Sequence, residues 1–448
     1  MSFTVTDRTK ESSSTTGTGA FTLSGAPSNY VTFNTGVGVN NFTWYAINHL
    51  SANEWEVGYA QLTGATTLTR IQVLAGTNGT SFVNFSAGTK EVFVTLPSAF
   101  NAQTLGRTNI VINPHGSIQQ ETTTAQTAAT AYYADQWYGT FTASGAAVQY
   151  GVTTGAVSSF DPSYMFFKTT TAKGSLAAGD FAALVQPIEG NNVRRLLYGG
   201  SSAKGSWLRW RASSSQSGTA SVSVRNGAGN RSFVQSFAVT TTPTDYFLFV
   251  PGDTTGTWAT DNTQGATLAF CHAAGTTFQT STLGAWQAGQ FFAANTQSNM
   301  LDTVNRQLNI TDVQWSQSAV LLPFEPVDYQ QELARCQRYF WARISAGANE
   351  HLGVGQAYST SAGTYVVNLP VQMRTIPTLD INGDITTLGV LTATGTVTVA
   401  TGVNSTANSS PTVMAINLNV TGTPLVGGNG GILLFPSSGK TFRASARM

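Results

Sequence analysis

The sequence predicts an all-β protein of successive antiparallel, jelly-roll-like β-sandwich domains with one short helix near residues 328–342, and three observations carry that prediction. Apolar and polar residues alternate with a period of two along much of the chain, as in strands with one buried face. Gly, Asn, Ser and Thr interrupt these runs at short intervals, where turns need residues that tolerate positive φ. Charged residues make up only 10% of the 448, against ~25% in an average soluble domain, while hydrophobic residues make up 41%. The polar surface must therefore come from Thr, Ser, Asn, Gln and Gly. With 25 Phe, 14 Tyr and 9 Trp, the chain is unlike the aromatic-poor, highly charged sequences that stay disordered. Its length suggests about three domains, each large enough to bury a core.

Residues 1–98 read as a first β domain. Its strands are carried by Phe42-Thr-Trp-Tyr-Ala-Ile47, Glu54-Trp-Glu-Val57 and Glu91-Val-Phe-Val-Thr-Leu96. Residues 99–131 are polar, and Glu121-Thr-Thr-Thr-Ala-Gln-Thr-Ala-Ala-Thr130 has no core pattern, which predicts a linker. Strand signals resume over 132–326, where a two-sheet jelly roll is expected. In it, Asp245-Tyr-Phe-Leu-Phe-Val250 is apolar on both faces and reads as a strand inside the sandwich.

The segment 327–344 breaks the pattern. After Pro326, Asp328 can cap a helix with Gln331 three residues on, and Tyr329, Leu333, Cys336 and Phe340 then share one face. Such a short helix must bury its apolar face, so these four residues are candidate contacts between copies of the chain. Residues 345–448 return to alternation, as in Thr364-Tyr-Val-Val-Asn-Leu369, and predict a third sandwich.

Several function classes are disfavoured. Lys and Arg total 22 against 21 Asp and Glu, with no basic stripe for a phosphate backbone, so nucleic acid is not an expected partner. Neither a signal-peptide run nor a membrane-length apolar run occurs, which predicts a soluble product made in the cytoplasm, without membrane insertion. Cys271 and Cys336 are too few for a disulfide framework and read as buried thiols. His49, His115, His272 and His351 lie far apart with no metal-ligand spacing, so they read as surface or turn residues and no metal or cofactor is expected. Gly36-Val-Gly38 and Gly427-Gly-Asn-Gly-Gly431 do not join a strand to a helix, and read as turns.

Three groups of motifs resemble a known family. Val5-Thr-Asp-Arg-Thr-Lys-Glu11, Asn53-Glu-Trp-Glu-Val-Gly58 and Phe85-Ser-Ala-Gly-Thr-Lys-Glu-Val-Phe-Val94 are similar to an N-terminal attachment module of phage virion and tail-fibre proteins. Asn109-Ile-Val-Ile-Asn113, Tyr133-Ala-Asp-Gln-Trp137, Leu308-Asn-Ile-Thr-Asp-Val-Gln314 and Leu322-Pro-Phe-Glu-Pro326 resemble the first and last strands of carbohydrate-binding-module-like sandwiches in phage tail proteins. Tyr329-Gln-Gln-Glu-Leu-Ala-Arg-Cys-Gln-Arg-Tyr-Phe340 resembles the helix that follows such a sandwich. The chain departs from the pattern at Trp315, Ser316 and Gln317, where relatives often carry acidic residues, so no calcium role is carried over.

The resemblance implies a tail-fibre subunit of a tailed bacteriophage. It would be a homotrimer in the virion, with residues 1–98 joined to other virion proteins and the remainder presented to host polysaccharide or lipopolysaccharide. A head-fibre, collar or capsid-decoration protein with a purely architectural role is the alternative. Sugar binding needs an aromatic face for pyranose C–H groups and planar donors for hydroxyls. Trp207, Arg209 and Arg211 alternate onto one strand face and supply both, and Trp258 and Trp286 stand in turn-rich segments. A polysaccharide depolymerase would need paired carboxylates. Asp161, Glu189, Asp245, Asp253 and Asp261 are available, but there is no coil-by-coil β-helix repeat, and the expectation is a protein without enzymatic activity.

Overall fold

The computed structural model describes residues 3–98, 109–158, 160–318, 321–381, 383–392, 395 and 397–448. The protein is all-β, with antiparallel sheets in each of three units.

The first unit is a six-stranded sheet in the order Lys10–Ser13, Lys90–Val94, Phe42–His49, Trp55–Gly64, Thr67–Gly76, Phe21–Thr22. The strand Phe42–His49 shows why one sheet has two apolar faces. Tyr45 and Ile47 enter the unit's own core with Phe21, Phe33 and Leu62. Phe42 and Trp44 face the other way and join Tyr59, Leu321, Leu322, Trp207 and Phe247 in a cluster shared with the second unit. Under the sheet, Arg70 pairs with Glu56 at 2.8 Å, and Glu56 also accepts from the Tyr45 hydroxyl at 2.7 Å. Both charges are fully buried, so the bonds to Glu56 are what make the burial tolerable.

The second unit is a two-sheet sandwich. One sheet has five strands, in the order Thr244–Val250, Ser206–Ser214, Gln307–Ser316, Ser163–Thr171, Ala147–Thr154. The other has seven, in the order Trp286–Ala288, Arg231–Val239, Gly218–Asn226, Gln264–Ala274, Phe181–Glu189, Trp137–Phe141, Thr130–Ala134. Between them lies a core that includes Trp137, Trp210, Trp315, Leu208 and Phe270. Gly139 leaves room for Tyr150, since a Cβ there would sit 2.3 Å from the ring.

Two expectations change in this unit. The expected linker 99–131 contains a core segment: Ile110, Val111, Ile112 and Ile118 are buried. Ile112 N–H donates to Gln186 at 2.9 Å, and the Trp137 indole donates to the Asn113 carbonyl at 2.9 Å. This stretch is bent chain and not the first strand that the resemblance implies. Residues 99–108 of that linker, and 1–2 of the first domain, lie outside the described residues. The strand around Asp245–Val250 is also not interior. It is the edge of the five-stranded sheet, with Phe249 exposed, and its second apolar side is explained by Phe247 packing 4.8 Å from Phe42 of the first unit.

The helix spans Tyr329–Gln337, shorter than the expected 328–342, with Asp328 accepting from Gln330 and Gln331 N–H at 2.9 and 3.3 Å. Phe340 starts a strand, Phe340–Ile344, that pairs with Thr441–Ser445.

The third unit is a closed antiparallel barrel and not the expected sandwich. Its strands run Glu350–Ala357, Ala362–Asn368, Val413–Val420, Val397–Ser405, Gly389–Leu391, Gly430–Phe435 and back to the first. Closure depends on Gly430–Phe435 pairing with both Glu350–Ala357 and Gly389–Leu391. Alternation along single strands is the same in a barrel and a sandwich, so sequence period does not separate them.

Candidate glycan-binding face

The strand Ser206–Ser214 places Leu208 and Trp210 in the core and Trp207, Arg209 and Arg211 on the opposite face. That face is not open. Trp207 lies in the aromatic cluster shared with the first unit, and Arg209 is 3% exposed. Arg209 reaches Asp245 at 3.5 Å and lies over the Phe247 ring, while Arg211 bonds Asp245 at 3.1 Å and the Val157 carbonyl at 2.6 Å. The expected sugar platform is thus covered, and its aromatic and planar groups serve the joint between two units. Trp258 and Trp286 come together at 5.3 Å, with Tyr198 against both. Trp258 is buried and donates to Asp253 at 3.3 Å, whereas Trp286 is half-buried and donates to the Pro251 carbonyl at 2.7 Å.

Of the four residues expected on one helical face as contacts between copies, Cys336 and Phe340 are buried within the chain. Cys336 packs with Ile112, Ile118 and Tyr339, and Arg447 stacks over the Phe340 ring at 3.9 Å. Leu333 is half-buried, which leaves Tyr329, 58% exposed, as the one open member. Both cysteines are buried free thiols.

The candidate acids are held by structural partners. Glu189 bonds Arg338 and Tyr339, Asp245 bonds Arg209 and Arg211, and Asp253 bonds Arg231 at 2.6 Å. Asp161 accepts from the N–H of Ser163 at the start of its strand, and Asp261 from the N–H of Thr263. Three histidines expected at the surface are buried: His49, His115 and His272. Among the described residues no cluster of three or more His, Cys, Asp or Glu could hold a metal ion, and no helix is long and apolar enough to cross a membrane.

The arrangement best suited to a ligand lies on the outer face of the seven-stranded sheet. Strand register puts Tyr132, Tyr138, Val185, Ala269, Ser223 and Val234 in one row across six strands. The next row contains Pro187, Thr267, Arg225 and Ser232. Part of this face is covered by the segment after Ala274, whose Phe278, Phe292 and Ala293 pack on Phe181, Ala183, Val185 and Cys271. Two serines pin that segment: Ser221 Oγ accepts from Ala294 N–H at 3.0 Å, and Ser232 Oγ accepts from Phe291 N–H at 3.0 Å while donating to the Gly289 carbonyl.

Tyr132 and Tyr138 stand at one end of this face, half-buried and packed edge to face at 5.5 Å; the Arg447 guanidinium lies 4.0 Å over the Tyr132 ring, whose hydroxyl donates to the Met448 carbonyl at 3.2 Å. Beside them the Arg225 guanidinium lies 3.7 Å from the Phe292 ring centre. Its Nε and Nη1, like Ser223 Oγ in the neighbouring row, are buried from solvent without a hydrogen-bond partner. Burial pushes the Arg225 pKa down to about 10, which still leaves a cation at neutral pH. A half-buried aromatic ring on a sheet face is what a sugar's C–H face can stack on, and Tyr138 supplies it here.

Tyr138, Arg225 and Phe292 were missed in the sequence. One signal was present: in Ser221-Val-Ser-Val-Arg225 the polar residues alternate with valines. That pattern gives a polar outer face but does not say whether solvent or a ligand meets it.

No protein-family model matches the chain, and no curated protein matches it. Solved structures that match include the enzymatically active domain of bacteriophage CBA120 tailspike protein 4, at 14% identity and a TM-score of 0.26 over 46% of this chain and 21% of that chain. Others are TmCBM61 in complex with β-1,4-galactotriose, at 10% identity and 0.25 over 47% of this chain and all of that one, and a family 11 carbohydrate-binding module from Clostridium thermocellum, at 10% and 0.24 over 45% and 99%. The chain thus covers about a fifth of the tailspike domain, and scores at this level carry no functional argument.

Proposed function

We propose that this protein is a non-enzymatic fibre subunit of a bacteriophage virion that binds host-surface glycans on the outer face of its seven-stranded sheet. The observation that supports glycan binding is the half-buried Tyr132–Tyr138 pair on the outer face of the seven-stranded sheet, where Tyr138 can offer a ring to a sugar's C–H face. The phage assignment draws on the motif resemblance at residues 5–11, 53–58 and 322–340. The first unit would join other virion proteins, and the chain would act as a homotrimer in the virion. The structural partners of Glu189, Asp245 and Asp253 favour binding without cleavage, since a working acid or base needs a carboxylate facing substrate.

Binding of the purified full chain to a panel of bacterial surface polysaccharides, read by biolayer interferometry, tests the central claim. Weak single sites are expected, with avidity raised about a hundredfold or more when several copies act together. Tyr138→Ala should cut binding about tenfold, the effect of losing one stacking contact of ~1–1.5 kcal/mol. An unchanged affinity in that variant, or no binding to any member of the panel, would remove this face as the glycan site. For the trimer, light scattering that returned a stable monomer would count decisively against it.

A further inference from the structure

We infer that a cavity on the outer face of the five-stranded sheet, where the last sandwich strand meets the helix Tyr329–Gln337, binds one neutral sugar residue through Ser316 and Gln331. It lies on the opposite sheet from the Tyr132–Tyr138 pair and is a second site, which stands whether or not that pair binds a glycan. The cavity has a volume of ≈ 220 Å³ and is open to solvent. Its floor is the end of the strand Gln307–Ser316. There Gln314 and Ser316 pair with Arg209 and Trp207, so their side chains share the face turned away from the sandwich core. The chain from Leu322 to Asp328 forms one wall, and Gln331 and Arg335 on successive turns of the helix form the other.

Polar side chains around the cavity divide into those spent on the chain itself and those left over. Gln314 ties strand to wall, its Nε2 donating to the Pro323 carbonyl at 3.1 Å and its Oε1 accepting from Glu325 N–H at 2.9 Å. Asn109 accepts from Trp315 N–H at 2.9 Å and donates to the Val313 carbonyl at 2.8 Å. Arg335 pairs with Glu332 at 2.9 Å and donates to the Asn109 carbonyl at 2.6 Å. These bonds fix the walls before a ligand arrives, which lowers the ordering cost of binding. Ser316 is spent on nothing. It is 8% exposed and lines the cavity, yet among the described residues no protein group bonds its hydroxyl. Buried hydroxyls in folded chains are hydrogen-bonded as a rule, so this one is left for what enters the cavity. The Gln331 amide is likewise unbonded among the described residues, and Asp328 caps the helix through Oδ1 alone, which leaves Oδ2 open.

A hydroxyl, an amide and a carboxylate oxygen together donate and accept, and sugar hydroxyls answer both, each with one donor and two acceptor positions. Leu322, Pro326 and Val327 supply aliphatic surface for the ring C–H groups. Charged ligands are disfavoured. The Glu325 and Asp328 carboxylates repel an anion, and Arg335 already has its counter-charge in Glu332. Arg335 repels a metal ion in turn, and among the described residues no cluster of three His, Cys, Asp or Glu could hold one. A volume of ≈ 220 Å³ falls below the roughly 300–1,000 Å³ of pockets for drug-sized ligands and suits a single pyranose.

Saturation-transfer NMR of the full chain with the methyl glycosides of glucose, galactose, mannose and rhamnose is the test, with methyl glucuronoside as the charged comparator. At least one neutral glycoside should bind with a dissociation constant of about 1–10 mM, and the glucuronoside at least about fivefold more weakly than the glucoside. Ser316→Ala and Gln331→Ala remove no side-chain bond within the chain. Each should weaken glycoside binding about three- to tenfold, the effect of one hydrogen bond, at an unchanged melting temperature. Should Ser316→Ala melt lower, its hydroxyl serves the fold and the inference fails for that residue, and Gln331→Ala, on the exposed side of the helix, decides the site alone. Tyr138→Ala should leave glycoside binding as it is. Glycoside binding that survives both cavity variants overturns the inference, and its loss in Tyr138→Ala instead would move the sugar to the seven-stranded sheet. Binding of no neutral glycoside, or of the glucuronoside as tightly as the glucoside, overturns it as well, while polysaccharide binding lost in Tyr138→Ala would still leave the sheet face standing.

Discussion

His272 is fully buried on a central strand of the sandwich, and its bonding pattern sets its tautomer. Thr169 Oγ donates to the Met300 carbonyl at 2.8 Å, so at 3.1 Å from His272 Nε2 it acts as acceptor and the imidazole donates. Nδ1 is then a lone pair with no partner, a smaller cost than a buried N–H without one. Burial, aided by the Arg306 charge, pushes the pKa down to about 3. An unfolded histidine titrates near ~6.5, so between these values the unfolded chain binds the extra proton. This contribution is complete above about pH 6.5 and falls away toward pH 3, by roughly 1.4 kcal/mol per unit. Asp135 acts in the opposite sense, since burial raises its carboxyl to about 6 and its contribution fades as pH rises from about 4 to 6. The His272 effect must therefore be read by difference. In denaturant titrations, His272→Gln should lose less stability than the wild type between pH 6.5 and 4, and identical pH slopes would show that His272 does not titrate in the folded state as argued.

At the scale of elements, strands were legible where one face met a core and the other met water. Ser206–Ser214 carries its expected division of faces, and the cap at Asp328 starts the helix where expected. The helix ends early for a tertiary reason. Arg338 and Tyr339 both turn to Glu189, and Phe340 is drawn into pairing with Ser445, so local helical spacing is overridden. Ile110–Ile112 looked like part of a polar linker because three apolar residues between asparagines form no period. Their burial depends on Gln186 and Trp137, remote in sequence, which satisfy the bent backbone. The Trp207 face failed as a binding platform for a related reason. An aromatic and two arginines on one strand face suit a sugar or a second domain equally, and only the Phe42–Phe247 contact decides between them.

At the scale of the whole molecule, the sandwich and the barrel are joined through a buried polar knot. Glu189, at the end of a sandwich strand, is fully buried and accepts from Arg338 at 2.6 and 2.9 Å, from Tyr339 at 2.7 Å and from Asn191 at 2.7 Å. Burial alone would raise its pKa, but these bonds, with Arg338 foremost, outweigh it and hold the carboxyl below its usual value. Arg338 and Tyr339 immediately precede the strand that opens the third unit, so the carboxylate fixes the chain at the point of passage. Arg374 adds bonds to the carbonyls of Asn262, Ala446 and Arg447, and Arg447 pairs with Glu121. Removing one partner of a buried pair typically costs ~3–5 kcal/mol. Arg338 is about one-third exposed, so water can recover part of that, and roughly 2–3 kcal/mol is expected for Glu189→Ala. The loss should fall on the joint more than on either core. Calorimetry should then show the barrel melting apart from the sandwich at a lower temperature. If the variant kept the wild-type profile, Glu189 would be a bystander and the coupling would have to lie with Arg374 and the C-terminal residues.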